Sequence, residues 1–485
     1  MRKKKKFYIA TPIYYINDRC HIGHAYTTVM ADIIARWHRL KGEDVFFLTG
    51  TDENSQKTVQ AAKKLAFSST EKFADYMAEE WKKAWNVLNI SNTDFIRTTE
   101  ERHKNLVVEF IKKVWKNKDI YKGMYKGLYC DDCEAFLNQN ELINGLCQYH
   151  KKPPKEIEEE NYFFKLSKYQ DKILKLLIEN KEFVQPESRR NEMINFAKEL
   201  KDISITRENA AWGIDFPIDQ KHKLYVWSEA LLNYLQPKEY WPSDIQLMAK
   251  DIVKFHAIIF SALLMSAGYK LPKKIFAHGF FTVNGEKMSK TLGNVIDPIF
   301  IANKYGVDAL RYFYAREIPF GQDGDFSEVS LKTRLNNELA NELGNLLSRT
   351  LTLIEKNLNS EIKKDKTDKK LFKILDIKRL DDFMENLEPH NAIAGIFGFV
   401  HECNAYINQK EPWKINNKKE LNYILYNLAD ALRIIAILIF PFMPLSSEKI
   451  NLQLNIKLGN LKDCKPGLLK EIKIKKGEIL FKKIE

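Results

Sequence analysis

Hydrophobic positions along the first fifty residues change period twice. "KFYIATPIYY", residues 6–15, is a β-rich apolar run closing on polar residues, which predicts a strand. From His24 to about Lys41 the apolar positions Val29, Ile33, Trp37 and Leu40 return every three or four residues, which predicts an amphipathic helix. "EDVFFLTGTDE", 43–53, is a continuous apolar run closed at Gly50, the pattern of a buried parallel strand. Strand, helix, strand in that order predicts a parallel sheet with a right-handed crossover. Ligands in such sheets sit beyond the carboxyl ends of the strands, so Tyr14, Tyr15, His21, His24 and Asp52 are expected around one crevice.

Residues 119–221 interrupt that alternation. They hold a cysteine cluster, the acidic-proline stretch "KKPPKEIEEE" and "WGIDFP", and predict an inserted domain. The αβ pattern resumes at "KLYVWSEALLNYL" (223–235), with "KDIVKFHAIIFSALLMSAG" (250–268) as a helix and "KKIFAHGFFTV" (273–283) as a strand. From about 326 the chain reads as helical, opening with one long amphipathic pattern over 328–358. The charged run "NSEIKKDKTDKK" (359–370) is expected to be a solvated link. "LRIIAILIFPFM" (432–443) is too short to span a bilayer, carries Arg433 and breaks at Pro441, so it predicts a buried helix.

A length of 485 residues implies several domains, and 45% hydrophobic residues with abundant Phe, Tyr and Ile imply packed cores. The formal net charge of +13 favours a polyanionic partner such as nucleic acid, although the Lys-, Asn- and Ile-rich, Gly-poor composition is also what AT-rich coding produces. Six cysteines in so long a chain do not form a disulfide framework. The basic start lacks an apolar core or cleavage site, so no signal peptide is read and a cytoplasmic location is expected.

Two motifs carry the chemistry. His21 and His24 flank a strand-to-helix junction, where unpaired N–H groups and the positive helix end suit phosphate; Gly23 between them would leave room for an adenine ring. Alone, such a pair is more often ordinary polar or core histidine. "VNGEKMSKTLGN" (283–294) places Lys287 and Lys290 on a loop after a strand, with a turn at Asn284–Gly285. Loop lysines can close on a phosphate as transition-state charge builds. Separately, Cys130-x-x-Cys133 and Cys147-x-x-His150 have the spacing of two knuckles around one tetrahedral Zn²⁺, three thiolates and one imidazole, a closed structural site. Asn345 and Arg349 fall one turn apart on one helix face, a spacing that by itself favours surface packing.

HIGH at 21–24 and KMSKT at 287–291 resemble the paired signatures of class I aminoacyl-tRNA synthetases. "TPIYYINDRCHIGHAYTTVMADIIARWHRLKG", "FFLTGTDE", "YCDDCEAFL", "NYFFKLSKY", "YVWSEALLNYL" and "AHGFFTVNGEKMSKTLGN" are similar to the methionyl enzymes of that family. The resemblance implies an α/β fold: a Rossmann-like parallel-sheet catalytic domain (1–118 and 222–275) split by a zinc-bearing insertion (119–221), a KMSK and stem-contact region (276–325), and an α-helical anticodon-binding bundle (326–485). It implies that His21, Gly23, His24, Lys287 and Lys290 serve ATP, with Lys290 the principal lysine and Asp251 on the ribose. It places Asp52 on the α-ammonium of methionine, and Tyr15, Trp227, Ala230, Leu231, Tyr234, Ile252 and His256 around its side chain. Asn345, Arg349 and Trp413 would read the CAU anticodon of tRNA(Met), initiator and elongator. Mg²⁺ would accompany ATP, and one structural Zn²⁺ would sit on Cys130, Cys133, Cys147 and His150. Because the chain stops near the end of the family core, a monomer without a further tRNA-binding barrel is expected, as is no membrane contact.

Several positions depart from the family pattern. Phe260 stands where Trp is usual, Ser261 for Pro, Ala249 for Gly, Ser228–Glu229 for an apolar residue and Asp, "TDEN" for TDEHG, and Thr291 for Ser. Phe260 is expected to loosen the aromatic wall of the pocket. Two rivals follow from the same residues. Another HxGH nucleotidyltransferase would lack the helical region, and a degenerate tRNA-binding paralogue would not need HIGH, KMSK and Asp52 intact.

Overall fold

The computed structural model describes residues 4–130, 135–137, 142–149, 151–208, 210–288 and 294–484, without side-chain description at 125, 126, 135, 136, 157 and 287. Cys133, His150 and Lys290 therefore lie outside the described residues, and Lys287 is described by its backbone alone.

The main sheet has six strands in the order Asp94–Arg97, Asp44–Asp52, Lys6–Tyr15, Ile245–Ala249, Ile275–His278, Val184–Gln185, all parallel. The opening strand spans the run expected of it, and its register slips between Ala10 and Ile13. That irregularity holds Pro12, which has no N–H to offer a central strand. Gly50 is required by its neighbour: a Cβ there would come within 2.0 Å of the Ile96 carbonyl oxygen. The strand order reverses between 6–15 and 245–249, where the two halves of the αβ pattern meet, and a crevice opens at their carboxyl ends. One strand departs from expectation. Val184–Gln185, inside the stretch read as an insertion, pairs with Ile275–Phe276 and belongs to this sheet.

The helix Ile22–Leu40 is buried at sixteen of its nineteen residues rather than along one stripe. It is sandwiched between the sheet and the C-terminal helices, and one apolar cluster runs from Phe7 through it to Leu480. Its mid-helix charges are matched inside the protein. Asp32 pairs with Arg36 and with the fully buried Arg311, each at 2.7 Å. Arg311 also donates to the carbonyls of Pro441 and Phe442 at 2.8 and 3.0 Å, tying the helix to the C-terminal region.

A separate antiparallel sheet contains Ile120–Cys130, Ala135–Leu137, Lys155–Phe164 and Ile203–Ser204, with a small hairpin of Leu142–Ile143 and Leu146–Cys147 beside it. The amphipathic run from 328 is one continuous helical path to Leu358, widened to π turns over Leu335–Gly344. Pro389–Lys410 and Lys418–Ile439 pack against it, and Pro444–Leu454 packs on Lys418–Ile439. Lys418–Ile439 is long and apolar enough to cross a membrane, but 89% of its most apolar window is buried inside the fold.

The segment 359–370 is not simply a solvated link. Ile362 is fully buried, Glu361–Ile362 pairs with Ile472–Lys473, and Asn422 and Asn427 hydrogen-bond the backbone of Lys363, Lys366 and Asp368. Two helix-borne amides satisfy what charge counting assigns to water.

Candidate active site and anticodon cleft

His21 is the N-cap of Ile22–Leu40; its Nδ1 accepts from Gly23 N at 3.1 Å, and His24 Nδ1 lies 3.3 Å from His21 N. This reciprocal capping stacks the two rings with centroids 3.6 Å apart. Gly23 is needed for it, since a Cβ would stand 3.0 Å from the His21 ring and 3.8 Å from the Met288 methyl. Met288, between the two loop lysines, thus lies over the helix start, and Ile22 N donates to the Ile296 carbonyl just beyond that loop. The turn expected at Asn284–Gly285 is present, with φ of 52° and 80°. It leads Lys287 out of a short pairing with Thr282.

The sheet edge places the amino-acid residues. Tyr15 and Asp52 are register partners at the carboxyl ends of adjacent strands, and Asp52 is 4% exposed. Tyr15 meets Trp227 edge-to-face at 6.5 Å, and Trp227 meets His256 at 6.4 Å. Ala230, Leu231 and Tyr234 follow on the same helical turns and are buried. His256 Nδ1 donates to the Ile252 carbonyl at 2.9 Å, leaving Nε2 to accept from the Tyr234 hydroxyl at 2.9 Å. Burial pulls His256 down to about 4, so the ring is neutral at physiological pH. The result is an uncharged aromatic wall, suited to a polarisable, uncharged side chain. Asp251 is exposed on the turn after Ile245–Ala249, at the mouth of the crevice.

The expected helix 250–268 is irregular around the pocket. Phe255–Phe260 is a π turn, and Ser261 Oγ donates to the His256 carbonyl at 3.3 Å. Phe260 does not leave the wall loose. It is fully buried, with Tyr234 at 5.8 Å and Trp241 at 6.1 Å between ring centroids.

Three sets of contacts here join segments far apart in the chain. Tyr14 stacks on Trp81, whose edge meets the His24 ring. His278 donates from Nδ1 to the Gly279 carbonyl and accepts from Thr27 at 2.7 Å, anchoring the first turns of the histidine-bearing helix. Burial pulls His278 to about 4. His103 lies 2.7 Å from Glu229, and both are fully buried. Of these, Tyr14 is expected at the crevice, whereas Trp81, His103 and His278 would be placed by periodicity simply in helices or strands.

In the C-terminal region, Arg349 donates to Asn408 at 2.9 Å and lies 5.4 Å from the Trp413 ring centre. A cleft of about 400 Å³ is lined by Asn345, Arg349, Asn341, Glu342, His401 and Asn408 among others. Trp413 is 50% exposed, an indole left open beside a guanidinium. Asn345, Arg349 and Trp413 therefore come together.

Residues 7–152 and 137–351 match the family model for tRNA synthetases class I (M), and 375–478 match the anticodon-binding domain of tRNA ligases. The chain is 46% identical to a methionine–tRNA ligase of Caldanaerobacter subterraneus, over 99% of this chain and 79% of that protein. The chain belongs to the class I methionyl-tRNA synthetase family. It is also 42% identical to the Streptomyces coelicolor methionine–tRNA ligase, over 95% of this chain and 92% of that one. The Mycobacterium tuberculosis methionyl-tRNA synthetase in complex with methionyl-adenylate superposes with a TM-score of 0.94 at 37% identity, over 98% of this chain and 99% of that one. The free form of the M. tuberculosis enzyme gives 0.86 at 34% identity, over 99% of each chain.

Proposed function

We infer that the chain is a methionine–tRNA ligase, activating L-methionine with ATP and transferring it to the 3′ end of tRNA(Met), initiator and elongator alike. The observation carrying this is the convergence of three things at one crevice: the capped histidine pair, buried Asp52, and the neutral wall of Tyr15, Trp227, His256 and Tyr234. The methionine carboxylate attacks the α-phosphorus of ATP and pyrophosphate leaves; the adenylate then acylates the terminal ribose. No side-chain nucleophile is needed, because the protein positions the reactants and meets developing charge. Asp52 holds the ammonium, and the neutral, internally bonded His256–Tyr234 pair presents no charge to the side chain. His21 and His24 are the groups proposed to meet the phosphates, and Lys287 and Lys290 those proposed to supply positive charge to them. Mg²⁺ accompanies ATP and offsets phosphate charge.

The donor set fits a structural zinc. Cys130 and Cys147 are buried in one small cluster with Leu137 and Leu142, and the Cys147 carbonyl accepts from Lys151 N at 2.8 Å, closing a tight knuckle. Cys130, Cys133, Cys147 and His150 would hold one Zn²⁺, fastening the inserted sheet. Metal analysis of the purified protein reads this directly, with one equivalent expected. Arg349, Asn345 and Trp413 suit an unstacked anticodon base, which stacks on an aromatic while donors read its edge. The enzyme is proposed to work in the cytoplasm as a monomer, a state that light scattering reads.

The deciding experiment is ATP–pyrophosphate exchange without tRNA, supplying methionine, leucine, cysteine or homocysteine. Exchange strongest with methionine is expected; none with any amino acid, from folded protein, overturns the catalytic reading in favour of a tRNA-binding paralogue.

A further inference from the structure

The methionine pocket has two anchors on segments far apart in the chain. The ammonium anchor, Asp52, ends a strand, whereas Trp227, Ala230 and Leu231 ride on the turn Val226–Ala230 and its continuation. Glu229 faces inward from that turn and is fully buried. Its Oε1 accepts from Asn54 Nδ2 at 3.1 Å, across 175 residues of sequence, and its Oε2 lies 2.7 Å from His103 Nε2. Asn54, two residues beyond Asp52, also reaches the Thr98 carbonyl at 3.3 Å. Glu53, between them, is clamped by Arg97 at 2.8 and 3.1 Å. Burial pushes the Glu229 carboxyl up and His103 down, so the low-dielectric surroundings disfavour charge on either group and the two share one short hydrogen bond.

We propose that Glu229, held between Asn54 and His103, is a positioning residue that sets the span between the ammonium anchor and the side-chain wall, and so the length of amino acid accepted. This rests on the methionine reading above. The geometry also joins two departures that look unrelated along the chain. Asn54 and Glu229 are the positions where the resembled pattern has His and Asp. Here they touch, and a longer acid facing a smaller amide keeps the bridge spanned. The pair is matched: shortening the acid alone opens a gap, and enlarging the amide alone forces an overlap. Because an apolar pocket discriminates one methylene by only about 10- to 200-fold, small changes of span act directly on selectivity.

The test uses the full-length enzyme in pyrophosphate exchange, with KM for methionine and for ATP measured separately and kcat/KM compared for methionine and homocysteine. E229D and N54H, made singly, are each expected to raise the methionine KM about tenfold, the size of one lost buried hydrogen bond, with the ATP KM little changed. Selectivity against homocysteine falls with it. The N54H/E229D double variant is expected to recover most of both losses. E229Q can accept from Asn54 and donate to His103, and is expected to keep the methionine KM near that of the unaltered enzyme. N54A, which unties the strand end without touching the Glu229–His103 contact, gives the same KM split should E229D fail to fold.

Equal changes in both KM values, or a lowered Tm with unchanged methionine KM, would overturn the positioning role. A double variant no better than the worse single one would overturn the matching. Absence of methionine exchange in the unaltered enzyme would instead bring down the activity assignment, a result distinct from either.

Discussion

In the crevice at the strand ends the groups proposed to meet the amino acid are already paired and dry: His256 is 1% and Tyr234 1% exposed, bonded to each other and to the Ile252 carbonyl. In the C-terminal region Trp413 is 50% exposed, and Arg349 beside it lines a cleft of about 400 Å³ with polar side chains. The contrast fits what each is proposed to bind. A small, flexible apolar substrate offers few handles, so selectivity has to come from a rigid, desolvated shape. An anticodon base offers a π-face and hydrogen-bonding edges, and an exposed indole and guanidinium reach these without enclosure. The first site is a product of packing, and the second is a product of spacing on helix surfaces.

Breaking the two sites separately should give different signatures. Lys290→Ala is expected to have the largest effect, lowering pyrophosphate exchange by about 100- to 1,000-fold, as for loss of one transition-state donor, with folding unchanged by circular dichroism. Asp52→Asn removes the partner of a buried ammonium and should raise the methionine KM by about 30-fold or more, leaving that for ATP nearly constant. Trp413→Ala should lower kcat/KM for tRNA aminoacylation by about 5- to 150-fold, the worth of one stacked base, while tRNA-free exchange stays intact. If Trp413→Ala slows exchange as well, the two sites are not independent and the comparison fails.

The smallest effect sharpens the difference in burial. His103, His256 and His278 are buried in the catalytic half and held at about 3, 4 and 4, below the ordinary value of 6.5, because desolvation disfavours the charged ring. Their folded pKa values are depressed, so the folded state prefers their neutral forms. The unfolded chain begins to take up protons below about 6.5, and stability falls as pH drops from there through about 4. Tm measured from pH 7.5 to 4.5 should fall steadily, and a catalytic-domain probe such as intrinsic Trp227 fluorescence should report unfolding first.

Much of the site was legible along the chain because its motifs are local. HIGH is a helix cap built within four residues, and the Asn284–Gly285 turn needs only its own φ angles. Strand ends could be read from apolar runs, which put Tyr15 and Asp52 side by side before any contact was known. Other features could not be read this way. The strand Val184–Gln185 is two residues long and is identified only by its partner, and 359–370 reads as solvated until Asn422 and Asn427 arrive from another helix. The proposed zinc ligands are legible as spacing, and of the four, Cys130 and Cys147 are placed together.

By itself the sequence determined the order of strands and helices, the capped histidine pair, the lysine loop and the types of residue offered to methionine and tRNA. These depend on neighbours within a few residues, where periodicity and capping act. The tertiary structure decided which charges are buried together, that Asp32 is answered by Arg311, and that Asn54 meets Glu229 across the pocket floor. Such pairs form between segments hundreds of residues apart, and their cost or benefit arises only once water has been expelled from between them.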